Sequence, residues 1–104
     1  MSRRDQLDAC VGFDWDESNA SKNWEQHGVT PEEAEEIFFC EPLVVRRDTG
    51  HGKNEKRYYA LGQTAVGRFL FAAFTIRRGL IRIISVRDMN GNETEVYRTH
   101  EGNT

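Results

Sequence analysis

Cysteine and proline are scarce in this chain of 104 residues, with two of each. Cys10 and Cys40 form no CxxC pair and have no histidine at metal-ligand spacing, so two ordinary reduced thiols are expected rather than a disulfide or a metal site. No carboxylate cluster of metal-binding type is evident, and no metal or other cofactor is expected. No run of about 18 apolar residues occurs, which argues against a transmembrane helix and a membrane partner. Arg3 and Arg4 are not followed by an apolar stretch, so a secretory signal is not expected and the cytoplasm is the default location. Repeats, linkers and low-complexity tracts are absent too. What remains is one domain over residues 11–99, with flexible ends at 1–10 and 100–104.

Charge is present in quantity and unevenly placed. Residues 1–42 hold three basic and eleven acidic residues, a balance of −8, and residues 43–104 hold eleven basic and six acidic, a balance of +5. The net charge of −3 conceals this division. A basic half suits a polyanionic partner, and equally suits pairing with the acidic half across the fold.

Local signals place the elements. VGFDW (11–15) alternates as a short strand. ESNASKNWEQH then reads as a helix with Asp16 or Ser18 as N-cap and Gly28 at its C-terminal end. In VTPEEAEEIFFCEP, Thr30 caps, Pro31 occupies the first helical position and Glu33 completes a capping box. Ala34, Ile37 and Phe38 form its apolar stripe, and Pro42 marks the stop. From residue 43 the period changes to two. LVVRR, RYYALG, RFLFAAFTI and LIRIISVR read as strands, the last three as a meander turned at Gly67 and Gly79. A weak helix is expected over about 92–99. The fold class is α+β, ordered β-α-α-β-β-β-β-(α), with the helices on one face of a twisted antiparallel sheet.

Five arginines run through the apolar stretch 62–89: Arg68, Arg77, Arg78, Arg82 and Arg87. Arginine is unfavourable on a buried strand unless paired, and its planar fork suits phosphate. Strict alternation in LIRIISVR puts Leu80, Arg82, Ile84 and Val86 on one face and Ile81, Ile83, Ser85 and Arg87 on the other. Trp15 and Trp24 are expected in the core.

The segments FDWDESNASKNWEQHGVTPEEAEEIFF, EKRYYALGQTAVGRFLFAAFTIR and IRIISVRDM resemble the BrnT family of bacterial toxins, in register over residues 11–98. WDE at 15–17, HGV at 27–29 and IISVRDM at 83–89 are the most specific pieces. The resemblance implies a RelE-like fold and an RNA-cleaving, translation-inhibiting toxin of a type II toxin–antitoxin pair. It also implies a neutralising BrnA-like antitoxin with a ribbon-helix-helix segment, through which alone the toxin would reach operator DNA. Two departures remove positive charge: Gln26 replaces a lysine common before the HG pair, and Glu93 and Glu95 lie in a stretch that relatives often fill with lysine and arginine.

Metal-independent RNA cleavage needs a base for the ribose 2′ proton, an acid for the 5′ leaving oxygen, and fixed positive charge at phosphorus. Histidine suits the proton steps and arginine the charge. The catalytic candidates are His27, Arg57 and Arg87, and Lys22, Arg68, Arg77 and Arg82 are candidates for binding RNA phosphate. Glu55 and Tyr97 are accessory candidates. Lys22, Glu55 or a tyrosine could replace His27 as the base. His27 could also merely favour the dipole of the helix it ends, and Arg57 could be an edge-strand charge against aggregation. A non-catalytic or attenuated toxin-fold protein, acting as antitoxin partner and transcriptional co-repressor, is the alternative function.

Overall fold

The structure, a computed structural model, describes residues 12–48 and 56–102. The elements in order are β1 (Gly12–Asp14), α1 (Glu17–His27), α2 (Pro31–Glu36), β2 (Val44–Asp48), β3 (Arg57–Gln63), β4 (Phe69–Arg77), β5 (Leu80–Asp88) and α3 (Gly91–Gly102). The expected order therefore holds, including the final helix. Glu55, Cys10 and the expected flexible start at 1–10 lie outside the described residues.

The caps behave as their chemistry requires. The Asp16 carboxylate accepts the Ser18 N–H at 2.8 Å, and Gly28 closes α1 in the left-handed region at φ 64°. Thr30 and Glu33 form the reciprocal capping box of α2. That helix is shorter than its apolar stripe suggests, because Phe38 and Phe39 already donate to carbonyls three residues back. The tightened turn seats Ile37 on β3, where a Cβ on Gly62 would stand 2.9 Å from the Ile37 Cβ. Gly62 is the residue that permits this approach.

The sheet runs β1-β5-β4-β3-β2. The meander and β2 are antiparallel as expected, but β1 joins β5 in parallel, so the sheet is mixed. The two intervening helices and strands β2, β3 and β4 carry the chain across before β5 returns beside β1.

The two faces differ from a one-sided arrangement. Beneath α1 and α2 lies the main core of Val29, Ala34, Ile37, Tyr58, Ala60, Leu70, Ala72, Phe74, Ile81, Ile83 and Val86. Helix α3 lies on the opposite face, where Tyr97 joins Val44 and Leu61 with Tyr59, Phe69, Phe71 and Met89 at the margin. An Asn90–Glu93 capping box starts α3: each backbone N–H is bonded by the other's side chain, at 2.9 and 2.8 Å. Trp15 packs against the core and donates to Glu35 at 2.7 Å. Trp24, expected inside, is 58% exposed, since α1 is thinly apolar and turns this side chain outward.

A β-bulge decides where the arginines go. Ala73 pairs with Ser85 and Phe74 with Ile83, so Ile84 has no partner on β4. The extra residue resets the alternation. Ile81, Ile83 and Val86 are all buried in the core, and Arg82, Ser85 and Arg87 point to the other face. Strict alternation had separated Arg82 from Arg87. The bulge unites them.

Candidate nucleic-acid interface

Helix α3 crosses only the end of its face marked by Val44, Leu61, Phe69 and Phe71. No described helix covers the rest, which we call the open face. Register and alternation place Arg57 of β3, Arg77 of β4 and Arg82 of β5 on it, while Arg46 of β2, 3.4 Å from His100, and Arg87 of β5, level with Phe71 and Leu61, stand at its border with α3. Arg46, Arg57 and Arg77 are exposed, and Arg82 and Arg87 are half-buried. The acidic residues on the strands of this face, among those described, are Asp14, level with Arg82, and Asp48, level with Arg57.

Two groupings stand out along β5, roughly 15 Å apart at a strand's rise per residue. At the start of the strand, Asp14, Arg77, Arg78, Leu80 and Arg82 line an open depression. Arg82 approaches Asp16 at 3.9 Å, a loose contact for an ion pair. Thr75 pairs with Arg82 and, one step beyond the Tyr58–Phe74 pair, comes level with Arg57. Its hydroxyl is buried between these neighbours without a hydrogen bond.

At the far end, Arg87 lies over the Phe71 ring, 4.2 Å from its centroid. Its Nη1 and Nη2 donate to the two Glu93 carboxylate oxygens at 2.8 and 2.9 Å. Burial works against the charge on Glu93, but the Arg87 fork and the Asn90 N–H outweigh it and hold its pKa low. Between the two groupings lie Ser85, Ala73 and Tyr59, the last stacked on Phe71 at 5.6 Å.

The other site candidates fall elsewhere. Arg68 donates all five of its guanidinium hydrogens: to Asp88 at 2.8 and 3.1 Å, to Glu33 at 3.1 Å, and to the carbonyls of Gly28 and His27 at 2.9 and 3.3 Å. It ties the end of α1, the start of α2 and the end of β5 together, and phosphate would have to displace one of these partners. The Arg68 bond holds the Asp88 carboxyl below its usual range, against a cost from burial, with a smaller contribution from nearby His27. The Thr30 backbone bond chiefly does the same for Glu33.

His27 thus sits beside Asp88 on the α1 side of the sheet, not on the open face. Lys22 is exposed on α1. Tyr97 is fully buried and donates to the Pro42 carbonyl at 2.7 Å, which makes it a core anchor for α3. Of the three catalytic candidates, Arg57 and Arg87 share a face, and His27 lies on the other side of the sheet, where its carbonyl accepts from Arg68. Ser85 and Thr75 also lie on this face, and sequence reasoning did not single them out; their pairing beside Ala73 and Arg82 depends on partner-strand register, which residue order does not show. Among the described residues, no group of three or more His, Cys, Asp or Glu is placed to hold a metal ion.

The chain is thus a small α+β domain with helices on both faces of a five-stranded sheet, one face partly bare and rich in arginine. The same fold occurs in the crystal structure of the Brucella abortus ribonuclease toxin BrnT, with a TM-score of 0.57 and 20% identity over 77% of this chain and 97% of that one. No curated protein matches the sequence. A sequence profile described as the ribonuclease toxin BrnT of a type II toxin–antitoxin system matches residues 15–93. The chain belongs to the BrnT ribonuclease-toxin family.

Proposed function

We propose that this protein is a metal-independent endoribonuclease, the toxin of a type II pair, and that it holds RNA on the open face of its sheet. The observation carrying this reading is the Ile84 bulge, which brings Arg82 and Arg87 onto the face that also bears Arg57. Spaced guanidinium groups on a bare sheet fit successive phosphates of a single strand, and Tyr59 offers a ring for a base. Arg57, Arg82 and Arg87 supply positive charge and Arg77 extends the phosphate track. A strand leaving the face past Arg87 comes to the end of β5, where His27 is available for proton transfer.

In the step itself the ribose 2′ oxygen attacks phosphorus as a base removes its proton. The phosphorus–O5′ bond breaks as the leaving oxygen is protonated. The products are a 2′,3′-cyclic phosphate and a 5′-hydroxyl, and cutting mRNA in the cytoplasm would stop translation. An acidic or amphipathic segment of a BrnA-like ribbon-helix-helix antitoxin would neutralise the toxin by covering the same arginines, and operator DNA would be reached only through that partner.

A second reading, a non-catalytic antitoxin partner acting in repression, is favoured by one feature. Both Arg68 and Arg87 are already matched by carboxylates of this chain. The test is cleavage of a mixed RNA by the antitoxin-free protein in EDTA, beside Arg82→Ala and Arg87→Ala. Wild-type cleavage leaving cyclic phosphate ends, reduced about 100-fold or more in either variant, is the expected outcome. Absence of cleavage with and without ribosomes would leave the co-repressor.

A further inference from the structure

Glu93 occupies a position that a simple surface carboxylate would not. Its Oε1 accepts both Arg87 Nη1 at 2.8 Å and the Asn90 N–H at 2.9 Å, and its Oε2 accepts Arg87 Nη2 at 2.9 Å. The second Nη1 hydrogen goes to the Asp88 carbonyl at 3.1 Å. The guanidinium is therefore gripped end-on, with Phe71 beneath it. Two donors are left without a partner among the described residues, the Nε–H and the outer Nη2–H. They lie on one edge of the planar fork, the side-on edge that can bind two oxygens of a single phosphate.

The grip is itself anchored. Glu93 is fixed by the capping box at the first turn of α3, and α3 is fixed by the Tyr97 hydroxyl on Pro42 and by the Tyr97 ring on Phe69, 5.0 Å away.

We propose that Glu93 is a positioning residue for RNA cleavage: it holds Arg87 so that the guanidinium's side-on edge stays aimed across the open face at the substrate phosphate. The proposal rests on the ribonuclease reading above. A free arginine side chain has many rotamers, and a donor ordered before the substrate arrives needs no reorganisation during the reaction. The same carboxylate repels the RNA backbone. Aim and affinity are thus set against each other, and this predicts a signature that neither a structural role nor simple competition for Arg87 produces.

The test compares wild type with Glu93→Gln and Glu93→Asp, measuring kcat on RNA and Kd for a 2′-O-methyl RNA oligonucleotide that cannot be cut. Glutamine at this capping position still accepts the Asn90 N–H, so the helix start survives; a thermal melt checks this. For Glu93→Gln, kcat should fall about tenfold, since the donor is misaimed rather than removed. Binding should tighten about two- to fivefold as a negative charge leaves the interface. Glu93→Asp retains the charge and loses the reach, so kcat should fall without tighter binding. A rise in kcat for Glu93→Gln would identify the carboxylate as a competitor of phosphate and overturn the proposal. A parallel loss of kcat and affinity would reduce Glu93 to a structural part, and unchanged kinetics would also overturn it. A wild type that cuts no RNA refutes the ribonuclease reading first, and the positioning role with it.

Discussion

The two faces of the sheet are made from the same four long strands and do opposite things with them. Under α1 and α2, Leu70, Ala72, Phe74, Ile83 and Val86 are sealed from water and carry no charge. On the other face each of those four strands contributes at least one arginine, and α3 covers only one end. The difference shows how a half-covered sheet separates stability from function: one face supplies apolar burial, and the other is left free to meet a charged partner.

Substitutions on the closed face should act on stability first. Phe74 is fully buried and packs against Phe38 at 5.3 Å and Tyr58 at 5.5 Å. Phe74→Ala should cost about 3–5 kcal/mol in chemical denaturation, enough to leave little folded protein at working temperature. If the loss is well below that, the α1 side is not the main core.

The Arg68 junction, at the rim between the faces, comes next. Arg68→Met removes the partner of Glu33, Asp88 and two carbonyls, and partial exposure limits the cost to about 1–2 kcal/mol. Asp88 and Glu33 both have folded-state pKa values below their ordinary 3.8 and 4.5. Their contribution is fully present above about pH 5 and is lost as pH falls through the lowered folded values. Wild type should therefore lose stability on acidification from about pH 5 to 3, and Arg68→Met should show a shallower loss. Equal slopes would mean that the junction contributes nothing in solution.

The smallest stability effect is expected on the open face. Thr75→Val removes a buried hydroxyl that has no hydrogen-bond partner and keeps the shape, so stability should change by less than about 0.5 kcal/mol or rise slightly. RNA cleavage measured in parallel then shows whether that hydroxyl serves the substrate. A large destabilisation would show that the two faces are not separable at this strand.

Much of the fold was legible. Thr30, Pro31 and Glu33 act within one helical turn, and turn glycines such as Gly28 and Gly79 act through their own φ, at 64° and 75°. The final helix had a readable start as well, since Asn90 followed by Glu93 is a local capping signal that weak propensity concealed. The basic residue types of the interface were legible in the same way. Their grouping was not. Which face Arg87 shares with Arg82 depends on a bulge between β4 and β5. Arg68's partners at residues 27, 28, 33 and 88 lie 20 to 41 positions away along the chain.

From residue order alone came the element order, the caps, the turns and an arginine-rich sheet, because each depends on interactions within a few residues of the chain. Tertiary structure decided the parallel docking of β1, the side chosen by α3, the union of Arg82 with Arg87, and the engagement of all five Arg68 donors within the chain. Those depend on which backbone partner stands opposite each residue. A one-residue change in that register turns a side chain to the other face.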